Sequence, residues 1–120
     1  MKFVNRISLI ITPKQPMHQW LVDSGFEDVP SLLELTGESS CYLVDEPEQE
    51  QPLDTLIEQL IQSHYTTIWQ SELSVWDEFL DLAPQLSDST QFKQWFNVKL
   101  SGLTFDLATA PLMLADVEGV

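Results

Sequence analysis

Apolar residues in the first dozen positions recur with a period of two, and this spacing predicts a strand over residues 3–12. Ile7, Leu9 and Ile11 share one face, and Ile10 makes the other face apolar too, as a central or covered strand requires. Pro13 ends the run. The period then lengthens to three and four. Pro16 at a first helical position opens a short helix that puts Met17, Trp20 and Leu21 in one stripe and stops at Gly25. Ser31 and Glu34 have the spacing of a reciprocal capping box, so a second brief helix is expected over Leu32, Leu33 and Leu35, closed by Gly37. Residues 41–44 read as a short strand, with Tyr42 and Val44 facing opposite to Cys41 and Leu43.

Residues 45–52 hold no apolar side chain besides two prolines, which marks an exposed connection. It leads into the longest periodic segment of the chain. Leu53, Leu56, Ile57, Leu60, Ile61, His64, Tyr65, Ile68 and Trp69 form a continuous helical stripe, and Asp54 sits where the helix dipole favours a negative charge. A further helix is expected over Trp76, Phe79 and Leu80, ending near Pro84. Asp88 and Gln91 suggest another capping box, opening a helix that buries Phe92, Trp95 and Phe96. The last strand, residues 98–107, changes parity midway. Val98 and Leu100 point one way, Leu103, Phe105 and Leu107 the other, and Gly102 stands at the changeover. Either both faces of this strand are covered, or Gly102 marks a bulge that resets the register. Residues 108–120 are expected to be an extended, partly packed tail.

These elements describe an α+β protein in the order β-α-α-β-α-α-α-β, with helices over a small sheet of about three strands. A chain of 120 residues suits a single domain, residues 1–120, and buries roughly two-thirds of its unfolded surface. The hydrophobic fraction of 43 % is far above that of a disordered acidic chain.

Charge changes the picture more than any motif. Residues 15–92 contain no lysine or arginine, yet they carry sixteen of the nineteen Asp and Glu residues. The net charge is −14 and the isoelectric point about 4.1, so phosphate is repelled and direct nucleic-acid binding is not expected. The single Cys41 forms no internal disulfide, which fits a reducing compartment, and the apolar run after Lys2 and Arg6 is too short for a signal-peptide core. Nothing approaches a membrane span. A cytoplasmic protein is expected.

The residues that carry chemistry elsewhere do not assemble into a signature here. Asp45, Glu46, Glu48 and Glu50 supply the oxygens a hard cation wants, but no glycine occupies the turn an EF-hand loop needs, and Pro47 and Pro52 stiffen the stretch. No metal or cofactor is expected. Cys41, His18 and His64 are the only thiol and imidazole groups, and no spacing selects a pair among them. Asp77 with Asp81, and Asp54 with Glu58, lie one helical turn apart without an apolar pocket to separate their acidities. No catalytic residue is assigned. Trp20, Trp69, Trp76 and Trp95 occupy helical positions that read as core, although Trp76 lies past the regular stripe and beside Asp77 and Glu78.

Several stretches together resemble a family of small, acidic bacterial proteins with no assigned function. They run from Arg6 through Pro13-Lys14-Gln15-Pro16 to Trp20, then Tyr42-Leu43 before an acidic loop. An acidic helix reaching Trp76 follows, then Trp95-Phe96 and residues 98–107 ending in Phe105-Asp106-Leu107. The resemblance implies a shared fold and carries over no catalytic or binding residue. Ser101 stands where such proteins often have a histidine, and Ala83-Pro84 where they often have Trp-Pro.

The functional expectation is therefore a non-enzymatic interaction module for a basic protein partner. Glu46, Glu48, Glu50, Trp76, Asp77 and Glu78 are the candidate contact residues. The alternative is a small enzyme or ligand-binding protein whose pocket is assembled from residues distant in sequence.

Overall fold

The computed structural model describes residues 1–117. The chain forms β1 (Lys2–Val4), β2 (Ile7–Pro13), α1 (Gln15–Asp23), α2 (Leu32–Thr36) and β3 (Ser40–Val44), followed by α3 (Leu53–Ser74), α4 (Ser89–Trp95), β4 (Phe96–Ser101) and β5 (Thr104–Asp106). It is an α+β protein with two antiparallel sheets, β3-β2-β4 and β1-β5.

The central position of β2 follows from its β-branched run. Leu9 lies opposite Tyr42 on β3 and Leu100 on β4, Ile11 opposite Val98, and Ile7 opposite Val44. Helices cover this face: Met17 and Leu21 of α1, Leu35 of α2, Ile61, Ile68, Trp69 and Leu73 of α3, and Phe92 of α4 are all buried. Each removes apolar surface worth about 1.5–3 kcal/mol. Eight aromatic residues join in one chain of contacts. Trp76 touches Phe26 with ring centres 6.5 Å apart, Phe26 touches Trp20 at 5.5 Å, Trp20 touches Trp95 at 6.1 Å, and Trp95 touches Trp69 at 4.8 Å. Phe96, Phe92 and Tyr65 continue it. All four tryptophans belong to one cluster.

Local chemistry sets the helix ends. Ser31 and Glu34 close the capping box that starts α2, each side chain meeting the other's backbone N–H. At α4 the box is displaced by one residue: Asp88 accepts from the Gln91 N–H at 3.0 Å, but Gln91 Oε1 accepts from the Ser87 N–H at 2.7 Å. α4 stops at Trp95, and Phe96 is buried as the first residue of β4 rather than in a helix.

Three expectations are corrected. The helix over Trp76, Phe79 and Leu80 does not form, because the buried Asp77 carboxylate takes the backbone N–H groups of Asp81, Leu82 and Ala83 at 3.1, 2.7 and 2.9 Å. A side chain that satisfies these donors replaces the helical ladder with a loop. Leu80 completes that loop with φ of 56°, a left-handed conformation.

The first and last strands each divide in two. Three residues, Asn5 to Ile7, separate Val4 from Ser8, whereas two, Gly102 and Leu103, separate the partner positions Thr104 and Ser101. The extra residue therefore lies in the first strand, where the Arg6 N–H bonds Val4 O at 2.8 Å in a tight turn, and not at Gly102. Gly102 is absent from the positive-φ glycines, and a Cβ there meets nothing within 4 Å. The tail is corrected as well: residues 108–117 are exposed throughout rather than partly packed, and residues 118–120 lie outside the described residues.

Candidate functional site

The most complete convergence of polar and aromatic groups lies where α3 ends. A cleft of about 280 Å³ is lined by Pro13 and Met17, by Leu35, Glu38, Ser39 and Ser40 from the end of α2 and the start of β3, and by Glu72, Val75 and Trp76. The segments meet because β3 runs antiparallel beside β2 and brings Ser40 under the last turns of α3.

Glu72 is the centre of the cleft's chemistry. Its Oε2 accepts from Tyr42 Oη at 2.7 Å and from Ser40 Oγ at 2.9 Å, and Ser71 Oγ lies 3.0 Å from the phenol oxygen. Oε1 has no hydrogen-bond partner among the described residues, so the carboxylate is held through one oxygen and the other is unpaired. Burial pushes the Tyr42 phenol well above its ordinary range, and the adjacent Glu72 carboxylate adds to the rise. The phenol is thus a fixed donor rather than a base.

Every charge-related feature of the cleft favours a cation. Glu38 and Glu72 are both anionic groups on its wall, and no lysine or arginine lines it. The 22-residue α3 points its C-terminus here with no basic residue in the last turn, leaving the negative end of its dipole uncompensated. Trp76 is half-buried, packs against Phe26, and adds an aromatic ring to the wall. Val75, Phe79 and Leu82 are exposed apolar residues close in sequence to this rim.

The residues singled out in the sequence divide between different places. Trp76 lines the cleft and Glu78 is exposed. Asp77 is buried and committed to three backbone donors, so it organises the rim and presents no contact surface. Glu48 and Glu50 line a separate open groove of about 450 Å³ with Asp45, Gln59, Ser63 and a floor of Leu56 and Leu60; Glu46 is exposed on the same loop. Leu60 and Glu72 are twelve residues apart on α3, which at 1.5 Å and 100° per residue separates groove and cleft by about 18 Å and a turn of roughly 120°. The acidic loop and Trp76 do not form one site.

The other candidates remain apart. Cys41 is exposed on β3, while the ring of His18 on α1 bonds Pro30 O at 2.9 Å. Among the described residues no group of three or more His, Cys, Asp or Glu is placed to hold a metal ion, and no helix is long and apolar enough to cross a membrane. Lys93 is engaged by Glu58 at 2.7 Å, and this bond holds the Glu58 carboxyl below its usual range. Lys14 Nζ bonds Lys93 O at 2.9 Å. Neither cation faces the cleft.

Sequence reasoning missed Glu38, Ser40, Tyr42 and Glu72. One signal was present: Glu72 lies in the last turn of the long helix, where a carboxylate opposes the dipole. The chain matches no family model, no curated protein and no solved structure.

Proposed function

We propose that the protein is a non-enzymatic interaction module that receives an arginine or lysine side chain of a basic protein partner in the Trp76 cleft. The observation that carries this reading is the Glu72 carboxylate, held through Oε2 by Tyr42 and Ser40 with Oε1 unpaired among the described residues, at the uncompensated C-terminus of α3 in a cleft that Glu38 and Trp76 also line. A guanidinium or ammonium group in the cleft meets a carboxylate at one end and an aromatic face along its stem. The loop carrying Glu46, Glu48 and Glu50 acts at longer range, raising the encounter rate with a basic partner without touching the anchored side chain.

A second reading has its own support. The cleft is built from residues 13, 17, 35, 38–40, 72, 75 and 76, which are distant in sequence, as a site for a small free amine would be. Titration of an arginine-bearing peptide, the same peptide with citrulline, and free agmatine distinguishes the two, read by tryptophan fluorescence because Trp76 forms the wall. Saturable binding of the arginine peptide, lost with citrulline and weakened about tenfold by Glu72→Gln, supports the proposal. Equal response to agmatine moves the assignment to a small ligand. No response to either cation, or an unchanged affinity in Glu72→Gln, contradicts both.

A further inference from the structure

The β1–β5 ribbon is built the wrong way out for a monomer. Its pairs are Lys2 with Asp106, Phe3 with Phe105, and Val4 with Thr104. Alternation places Lys2, Asp106, Val4 and Thr104 on one face, where Val4 is half-buried and Thr104 Oγ1 meets the buried Ser8 Oγ at 2.8 Å. The other face carries Phe3 and Phe105, in edge contact at 6.0 Å yet 56 % and 48 % exposed. Met1, Leu103 and Leu107 follow the same alternation at the strand ends and are 86 %, 66 % and 77 % exposed. In the main sheet the inward positions are the apolar ones; here the large apolar side chains face water and only Val4 turns inward.

The ribbon is also open at its edge. β5 pairs with β1 alone and β4 with β2 alone, so the outer backbone of β4 and β5 has no strand beside it among the described residues. Lys99 guards β4 with an exposed charge, whereas β5 reads Thr104-Phe105-Asp106, with no lysine. Two strands of three residues are marginal without further pairing. Past β5 the exposed tail carries Leu112, Met113, Leu114 and Val117.

We infer that this face is the interface between two copies of the chain, the β5 edges meeting antiparallel across a two-fold axis and each tail lying on the other copy. Area and charge both choose a second copy as the occupant. A stable interface takes about 800 Å² from each partner, some 500 Å² of it apolar. At on the order of 100 Å² per apolar side chain, the ribbon face offers roughly 330 Å² and the tail roughly 300 Å² more, so ribbon and tail together suffice where the ribbon alone does not.

Charge works the same way. Two chains of −14 repel over most of their surfaces. The ribbon is the exception: its charged side chains are Lys2 and Asp106, opposite each other, and Arg6 follows in the turn after β1. A partner drawn by the acidic surface would be basic and would find no anionic excess here. An antiparallel β5 edge is self-complementary, since the same residues serve on both sides of the axis.

Sedimentation velocity over a concentration series, at low and at physiological salt, tests the inference. A concentration-dependent dimer is expected, tighter at the higher salt because screening removes the repulsion between two anionic chains. Phe105→Glu should weaken it at least about tenfold. The double variant Leu112→Ser and Leu114→Ser should also weaken it, and this variant does not depend on refolding because these side chains are exposed within the monomer. A chain that stays monomeric at every concentration and salt overturns the inference and leaves the face to a different partner. A dimer that tolerates both variants overturns it too.

Discussion

At the C-terminal end of α3 an open carboxylate faces a cleft whose walls are locked from behind, by Phe26 against Trp76 and by Asp77 through three backbone N–H groups. At the β1–β5 ribbon the open surface is apolar, and among the described residues its side-chain hydrogen bonding to the main sheet is one pair of hydroxyls, Ser8 and Thr104. The first region is built into the core and the second stands off it. A charged ligand needs fixed groups, because displaced dipoles and carboxylates lose most of their advantage over water. An apolar interface needs only area and a matching edge. The difference in anchorage therefore predicts different responses to substitution as well as to salt.

The largest effect is expected in the cleft. Asp77→Ala removes a buried acceptor and strands three backbone donors, so it should lower unfolding free energy by about 3 kcal/mol and weaken binding of the arginine peptide. Denaturant unfolding checks the first and fluorescence titration the second. A loss below about 1 kcal/mol would mean that the loop over residues 77–83 holds by other means.

Tyr42 gives the next test. Its phenol titrates higher in the folded chain than its ordinary value of about 10, so its contribution is complete below that pH and is lost as pH rises through the folded value. Stability should fall on the alkaline side above about pH 10, and Tyr42→Phe should flatten that fall. An unaltered alkaline slope would remove Tyr42 from the buried network.

Two glycines sharpen the contrast further. Gly25 has φ of 76°, and alanine there should cost about 1 kcal/mol even though a Cβ meets nothing within 4 Å. Gly102, at the joint between the main sheet and the ribbon, has the same open space without the positive φ. Gly102→Ala should leave the thermal midpoint unchanged or slightly raised. A drop in stability there would restore the bulge that the parity of the last strand suggested.

What the sequence revealed depended on how local each cause is. The Ser31–Glu34 box and the stripe of α3 act over three or four residues; the box forms as the spacing predicts, and the stripe is buried at Ile61, Ile68 and Trp69, half-buried at Leu56, Ile57 and Leu60, and exposed at Leu53. The loop after α3 was misread because Trp76, Phe79 and Leu80 have helical spacing, while the decisive group, the Asp77 carboxylate, bonds four to six residues ahead. The cleft was hidden because Glu38 and Glu72 meet only through the pairing of β2 with β3. In the last strand the reversal at Leu103, Phe105 and Leu107 was visible. Its cause was not, since it depends on a one-residue offset in the opposite strand at the other end of the chain.

The account rests on the separation of an anionic, anchored cleft from an apolar edge without anionic excess. One salt series on the wild-type chain tests it most directly, with arginine-peptide affinity followed by fluorescence and self-association by sedimentation on the same samples. Rising salt should weaken the first and strengthen the second, because screening removes an attraction in one case and a repulsion in the other. If both change in the same direction, the two surfaces are not separate and the account is wrong.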